Sequence, residues 1–487
     1  MVTRLKKHWS WILGGVALML YFILMAPAYT PVFADALRGV EIAQSFFNGS
    51  PFNHITYVNP DAPDQLMHEF VAWWTPGQYL LPMLFYSIGS NWTAAFHFTI
   101  ILCLLLGAYG WIRLWKKEAS HQILGWLIVF LILNRNFYWH TLLYMGGDLL
   151  LFTILPYFIY HMLYGKKALE WLPLWILAGF VAKASFLVFV IPILIWKCYP
   201  IKDFKKNLVK LLPSAISLII IWSLYLNQGH TPNNTMDTEG YSNLPHRMWN
   251  GWIYGWAAPI AIPFWVWSTL ESVWKNAVLS EWGLYMAFLI GGLISIYLLF
   301  PGKKMSQYHQ LAIAVYVFFV AFFAVNQMSF KAISFEARHF YPLALITLPI
   351  ILKRLPKFVL PILLIIALVD VYRIYPLHSD ISNRYCQTET LMLPYCIDEE
   401  LPDDAIVITD KWDALPGIKN THKMALELAN TENDSVQYRL ITGIETPDRP
   451  VFSSLGPSER PKVGVFFALK MEDVLSLELD AYHFVAP

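Results

Sequence analysis

Long, uninterrupted apolar runs dominate this chain. They lie near residues 9–30, 92–114, 121–140, 148–164, 208–226, 282–300, 310–327, 339–352 and 358–374. About 20 apolar residues suffice for a helix to cross a bilayer's hydrocarbon core, so each run is expected to be a transmembrane helix. The first run, in "MVTRLKKHWSWILGGVALMLYFILMAP", has a basic flank, is too long for a signal-peptide core and lacks a clear small-residue cleavage site. It is expected to be a retained span. The pattern changes at residue 376: "DDAIVITD" and "VGVFFALKM" read as strands and "NTHKMALELANTE" as a helix. The expected organisation is a transmembrane domain over 1–375 and a small α/β domain over 376–487.

Composition agrees with this division. The chain of 487 residues is 57% hydrophobic and 16% aromatic, and only 14% is Asp, Glu, Lys or Arg, against about a quarter in soluble domains. A net charge of +1 gives no field to attract nucleic acid. Cys103 and Cys198 fall in or beside apolar spans, Cys386 and Cys396 in the polar tail, and no metal-binding spacing is present.

Basic clusters orient the spans, because cytoplasmic loops are enriched in Lys and Arg. Placing Arg4/Lys6/Lys7, Arg113/Lys116/Lys117, Lys166/Lys167, Lys197/Lys202/Lys205/Lys206, Lys303/Lys304 and Lys353/Arg354/Lys357 all inside constrains the threading. Residues 170–197 then have basic clusters at both ends, which a single crossing cannot satisfy. A tight hairpin of two short helices, each about 20 Å long, is expected instead, with Lys183 near its tip. The result is a mainly α, polytopic fold of about eleven spans, with the N-terminus cytoplasmic and the tail outside, where Cys386 and Cys396 are free to form a disulfide. Loops 31–91 and 227–281 also lie outside; the second carries Trp249, Trp252, Trp256, Trp265, Trp267 and Trp274, suited either to the lipid interface or to a further hairpin.

Ionisable residues at the outer ends of spans are the candidate chemistry: Asp35, Arg38, Glu41, His68, Glu69, Asp148, Lys183, Arg247, Lys331, Glu336, Arg338 and His339. Asp35 opens the helical stretch "DALRGVEIAQSFFNG", with Gly49 as its stop; Asp148 follows Gly146-Gly147 at the start of a span. Either carboxylate can serve as a helix N-cap, or the two can share a polar site as base and acceptor-orienting group. Lys183 either snorkels to the interface or pairs with an anionic headgroup. Arg338 either anchors at the interface, with Glu336 as partner, or clamps a phosphate with its guanidinium fork. Sequons at Asn48, Asn91, Asn233 and Asn433 are short enough to arise by chance. Neither a P-loop nor a dinucleotide fingerprint occurs, which argues against an ATP-driven pump and a Rossmann-type nucleotide-sugar enzyme. Any energy must arrive with the substrate.

Over roughly residues 10–360, this order of elements resembles the GT-C class of integral membrane glycosyltransferases, in particular the group of protein mannosyltransferases, aminoarabinose transferases and rhizobial lipopolysaccharide transferases. The resemblance is carried by Asp35 leading into "EIAQSFFNG", by "WWTPGQYLLPMLFYSIGSNWTAAFHF", by Asp148 in "GGDLLLF", by Lys183 in "AGFVAKASFLVFVIP", and by Arg338 in "EARHFYP". It implies transfer of a sugar from a polyprenyl-phosphate or polyprenyl-diphosphate donor to a lipid, glycan or protein acceptor at the outer face, with inversion. Asp35 is then the expected base and Asp148 an acceptor-positioning or cation-binding group. Lys183 and Arg338 are expected to stabilise the lipid phosphate, and Glu41, His68, Glu69 and His339 stand as further candidates for substrate binding. A divalent cation is left open. Two other readings compete: a secondary transporter or lipid flippase using the outer-face charges, and a scaffold whose tail recruits partners.

Overall fold

The computed structural model describes residues 34–47, 49–59, 62–72, 75–89, 92–142, 144–198, 204–228, 255–264, 281–300, 305–328 and 337–384, together with short strands between 406 and 485. The expected first span, 9–30, and the candidates Arg247, Lys331 and Glu336 lie outside the described residues, as do Cys386 and Cys396.

The segment that follows the first apolar run begins with α1 (Ala34–Phe47). It stops where expected: Gly49 has φ +91°, its N–H reaches Phe46 O, and Ser50 N–H reaches Ser45 O, both at 3.0 Å. This pair of bonds is a Schellman closure, which needs the left-handed conformation that glycine adopts without cost. An antiparallel hairpin follows, β1 (His54–Asn59) on β2 (Ala62–Phe70). No strand was expected here, although the turn-rich "NPDAPD" between two stretches of mixed polarity is a hairpin signal. Asn53 locks the hairpin's open end. It is fully buried, holds φ +63°, donates from Nδ2 to Val71 O at 2.6 Å, and accepts from the hydroxyls of Tyr79 and Tyr225.

Helices α2 (Gly77–Ser87), α3 (Trp92–Glu118), α4 (His121–Ile132), α5 (Arg135–Leu142), α6 (Gly147–Tyr164), α7 (Leu172–Ala182), α8 (Phe186–Cys198), α9 (Phe204–Ile221), α10 (Glu281–Leu299), α11 (Gln307–Met328), α12 (Ala337–Arg354) and α13 (Val359–Arg384) complete the bundle. Every apolar run expected from residue 92 onward is therefore helical. Among the described residues four helical segments, Ala94–Glu118, Gly147–Tyr164, Val209–Leu226 and Gln307–Val325, are long and apolar enough to cross a membrane. On α9, Val209, Leu212, Ile216 and Ile219 are each about 60% exposed and share one face, an apolar stripe with nothing polar to favour water. The chain is an integral membrane protein.

Three departures from expectation have physical causes. The run 121–140 is broken in two because Asn134 caps α5: its Oδ1 accepts from Asn136 N–H at 2.9 Å, while its Nδ2 donates to Ile262 O at 3.0 Å. A side chain that competes for backbone groups favours a helix start over a helix interior. Within loop 227–281, residues 255–261 are helical; Ala257, Ala258, Ala261, Ile262 and Phe264 are buried, and Tyr316 donates to Trp256 O at 2.7 Å. This piece is packed in the core and is not laid at the lipid interface; the remainder of the loop, on which the further hairpin would depend, lies outside the described residues. In the tail, "NTHKMALELANTE" is not a helix: Lys423–Ala425 (β4) pairs in parallel with Ile406–Thr409 (β3), and Glu427–Asn430 (β5) pairs with Val436–Arg439 (β6). Sheet pairing overrides the helix propensity of Lys, Met, Ala, Leu and Glu there. Among the described residues the tail elements are strands, and α13 continues to Arg384 before they begin.

The core is tied by polar groups that donate across helices, as a lipid-embedded bundle requires. Trp111 Nε1 donates to Phe152 O at 3.1 Å and Trp115 Nε1 to Leu345 O at 3.2 Å, so α3 holds both α6 and α12. Gly107 permits the approach: a Cβ there would lie 2.4 Å from Cε1 of Phe152. Gly107→Val is expected to wedge α3 from α6 and lower stability by about 1–3 kcal/mol, read as an earlier thermal unfolding transition in detergent.

Candidate functional site: an ion cluster at one end of the bundle

Three chain segments meet where α6 begins. Gly146 takes the N-cap position with φ +55°, a left-handed conformation suited to glycine. Gly147 lies so close to the α7–α8 hairpin that a Cβ would sit 3.1 Å from Ala182 O. From another side α2 arrives, its first residue pressed on the same hairpin: a Cβ at Gly77 would stand 2.4 Å from Val181 O, and Thr75 Oγ1 donates to Ala182 O at 3.2 Å. The "TPGQ" stretch is small at Gly77 for this reason. The hairpin has the expected form, with Lys183 in extended conformation between its two short helices.

Asp148 is the second residue of α6 and 8% exposed. It caps nothing, because Gly146 occupies that position, and its carboxylate turns to cations instead. Oδ1 accepts from Lys183 Nζ, and Oδ2 lies 3.7 Å from Nη1 of Arg338 on α12. His339, the next residue, faces Phe323 at 6.4 Å between ring centroids. Lys183 and Arg338 are 22% and 12% exposed. Lys183 and Arg338 thus both face the Asp148 carboxylate in a largely buried setting. Lys166/Lys167 and Lys353/Arg354 lie at the opposite ends of α6 and α12.

Asp35 reaches this neighbourhood through its helix. A Cβ at Gly146 would lie 3.0 Å from Ala36 Cβ and 2.9 Å from Gln78 Oε1, and one at Gly39 would lie 3.0 Å from Gln78 Cγ. The first turn of α1, where Asp35 sits, is therefore packed against the loop that presents Asp148; the Asp35, Arg38 and Glu41 side chains themselves lie outside the described residues. His68 is exposed on β2 opposite Thr56, and Glu69 pairs with Ile55. The Glu69 side chain also lies outside the described residues.

Sequence reasoning missed Gln78, which is 4% exposed with its Nε2 buried and without a partner among the described residues, and Tyr144, which donates to Gln78 O. Both flank the glycine turn, and the only signal for Gln78 was its place after Pro76-Gly77. Among the described residues no group of three or more His, Cys, Asp or Glu side chains gathers as a metal site, and both oxygens of Asp148 already face cations.

No family model matches the chain, and no curated protein matches it. Two solved structures are similar over most of their length. ArnT from Cupriavidus metallidurans in the apo state is 13% identical, with a TM-score of 0.38, over 87% of this chain and 87% of that one. The same protein bound to undecaprenyl phosphate is 14% identical, with a TM-score of 0.41, over the same shares.

Asp148→Asn should be the most costly neutralisation in the cluster. It removes the carboxylate that Lys183 and Arg338 both face, and breaking a buried pair costs about 3 kcal/mol or more. Lys183→Met leaves Arg338 to balance Asp148 and should cost less, an ordering that thermal unfolding of the two variants in detergent will show.

Proposed function

We propose that this chain is a GT-C-type glycosyltransferase of the cell membrane that moves a sugar from a polyprenyl-phosphate donor to an acceptor at the outer face. The observation that carries the reading is the meeting of Lys183 and Arg338 on Asp148, at the ends of α6 and α12 remote from their basic termini. Two cations gathered on one carboxylate at the outer headgroup level suit a lipid phosphate. Backbone N–H groups at the start of α6 add to the attraction.

The reaction needs few groups. Asp35 takes the proton from the acceptor's hydroxyl or amine as that atom attacks the anomeric carbon, and the carbon–oxygen bond to phosphate breaks on the opposite side. The leaving group departs as polyprenyl phosphate. Its growing charge is met by Lys183 and Arg338, so no general acid is required, in contrast to the acid–base pair of a glycosidase. Asp148 holds the two cations in place before the donor arrives. In this reading it is a counter-ion more than an acceptor ligand, and no step is assigned to a metal. The tail and the β1–β2 hairpin stand on the same outer side, where an acceptor would approach.

The test uses the full chain in proteoliposomes with a panel of undecaprenyl-phosphate sugars carrying a hexose, a pentose or an aminopentose. Undecaprenyl phosphate, the lipid that one of the ArnT structures holds, serves as the binding probe. Lys183→Ala is expected to raise the Kd for undecaprenyl phosphate by about tenfold to a hundredfold. Asp35→Asn is expected to cut release of lipid phosphate from the active donor by about a hundredfold or more with little change in that Kd. Movement of the lipid between leaflets without release of sugar would favour transport instead.

A further inference from the structure

The ion cluster rests on a second layer one helical turn deeper. Asp148 and Phe152 are four residues apart on α6, and Arg338 and Tyr341 are three apart on α12, spacings that place each pair on one helix face. The deeper pair meets in a stack, with ring centroids 6.0 Å apart and planes 9° from parallel. His140 of α5 closes on both rings, at 5.9 Å from Phe152 and 6.0 Å from Tyr341.

This layer is polar in a place where the surrounding core is apolar. Nδ1 of His140 and the hydroxyl of Tyr341 are buried and have no hydrogen-bond partner among the described residues, in side chains whose residues are 3% and 2% exposed. Asn136, one turn before His140 on α5, carries a third such atom at Nδ2. Buried polar atoms in native proteins are nearly always paired. Two of them on neighbouring rings, directly beneath a charged site, point to a partner they share. An O–H group both donates and accepts, and so completes an imidazole nitrogen in either tautomer and a phenol at once. A role in packing alone would be met as well by Leu and Phe.

We propose that His140 and Tyr341 are positioning residues that together hold one uncharged O–H group, either a water or a hydroxyl of the donor's sugar, beneath Asp148 and Arg338. Held there, the group fixes the floor on which the ion cluster and its anionic ligand sit. The inference rests on the reading of that cluster as the phosphate site, and the experiment separates the two.

His140→Leu, His140→Asn and Tyr341→Phe are compared with wild type and Lys183→Ala in proteoliposomes, for binding of undecaprenyl phosphate and for turnover of the sugar-lipid panel. If the group is water, His140→Leu and Tyr341→Phe raise the undecaprenyl phosphate Kd about fivefold. His140→Asn, which keeps a polar nitrogen near the place of Nδ1, restores most of it. If the group is a sugar hydroxyl, that Kd stays at the wild-type value, while KM for the active donor rises by a similar factor and is again rescued by Asn. Wild-type binding and turnover in both His140→Leu and Tyr341→Phe overturn the proposal. So does a loss that follows thermal stability and that His140→Asn does not rescue. Wild-type binding in Lys183→Ala overturns the phosphate reading itself, whereas a loss confined to Lys183→Ala overturns only the role of His140 and Tyr341.

Discussion

A carboxylate buried at the end of an apolar helix must be matched by positive charge, and much of this molecule's arrangement follows from meeting that need at Asp148. Desolvating an ion is costly, and a single partner at the edge of a bundle compensates only in part. Lys183 can reach Asp148 because residues 172–198 turn back on themselves and leave it at the tip. Arg338 can reach it because α12 begins at the same level. The hairpin's approach depends on small residues, since a side chain at Gly77 would collide with its backbone and one at Gly147 would crowd it. These glycines therefore serve the charges, by letting the tip that carries Lys183 close on Asp148.

Beneath the charges the construction changes character. Phe152 is held between Gly107 on one side and Tyr341 and His140 on the other, and the Trp111 indole bonds to its carbonyl. One residue thus joins the packing of α3 against α6 to the floor of the candidate site. A change in helix packing at Gly107 would be felt one turn away at Asp148, while the opposite ends of these helices are tied separately, by Tyr164 and Ser306 to Glu118 and by Arg354 to Leu298 O.

Some of this was legible in the sequence. The apolar runs marked the helices because a segment's mean polarity is a local property. The hairpin with Lys183 at its tip followed from basic residues at both ends of a run too short for two full spans. The stop at Gly49 followed from local backbone chemistry. Other features were not legible for equally definite reasons. The break at Asn134 depends on carbonyls at Ile262 and Pro263 that no local pattern reveals. The strands at 423–430 owe their state to partners in β3 and β6, against their own helix preference. Asp148 read as well as a cap as it did as a site, because the choice depends on where the neighbouring cations lie.

The sequence by itself determined that the chain lives in a membrane and that its apolar runs, where described, are helical. These conclusions need only hydropathy and run length. Tertiary structure alone decided that Asp148, Lys183 and Arg338 form one cluster and that His140, Phe152 and Tyr341 form the layer beneath it. Those contacts join residues from separate helices, and their energies depend on distances of a few ångströms that are set by how glycines and aromatic rings pack.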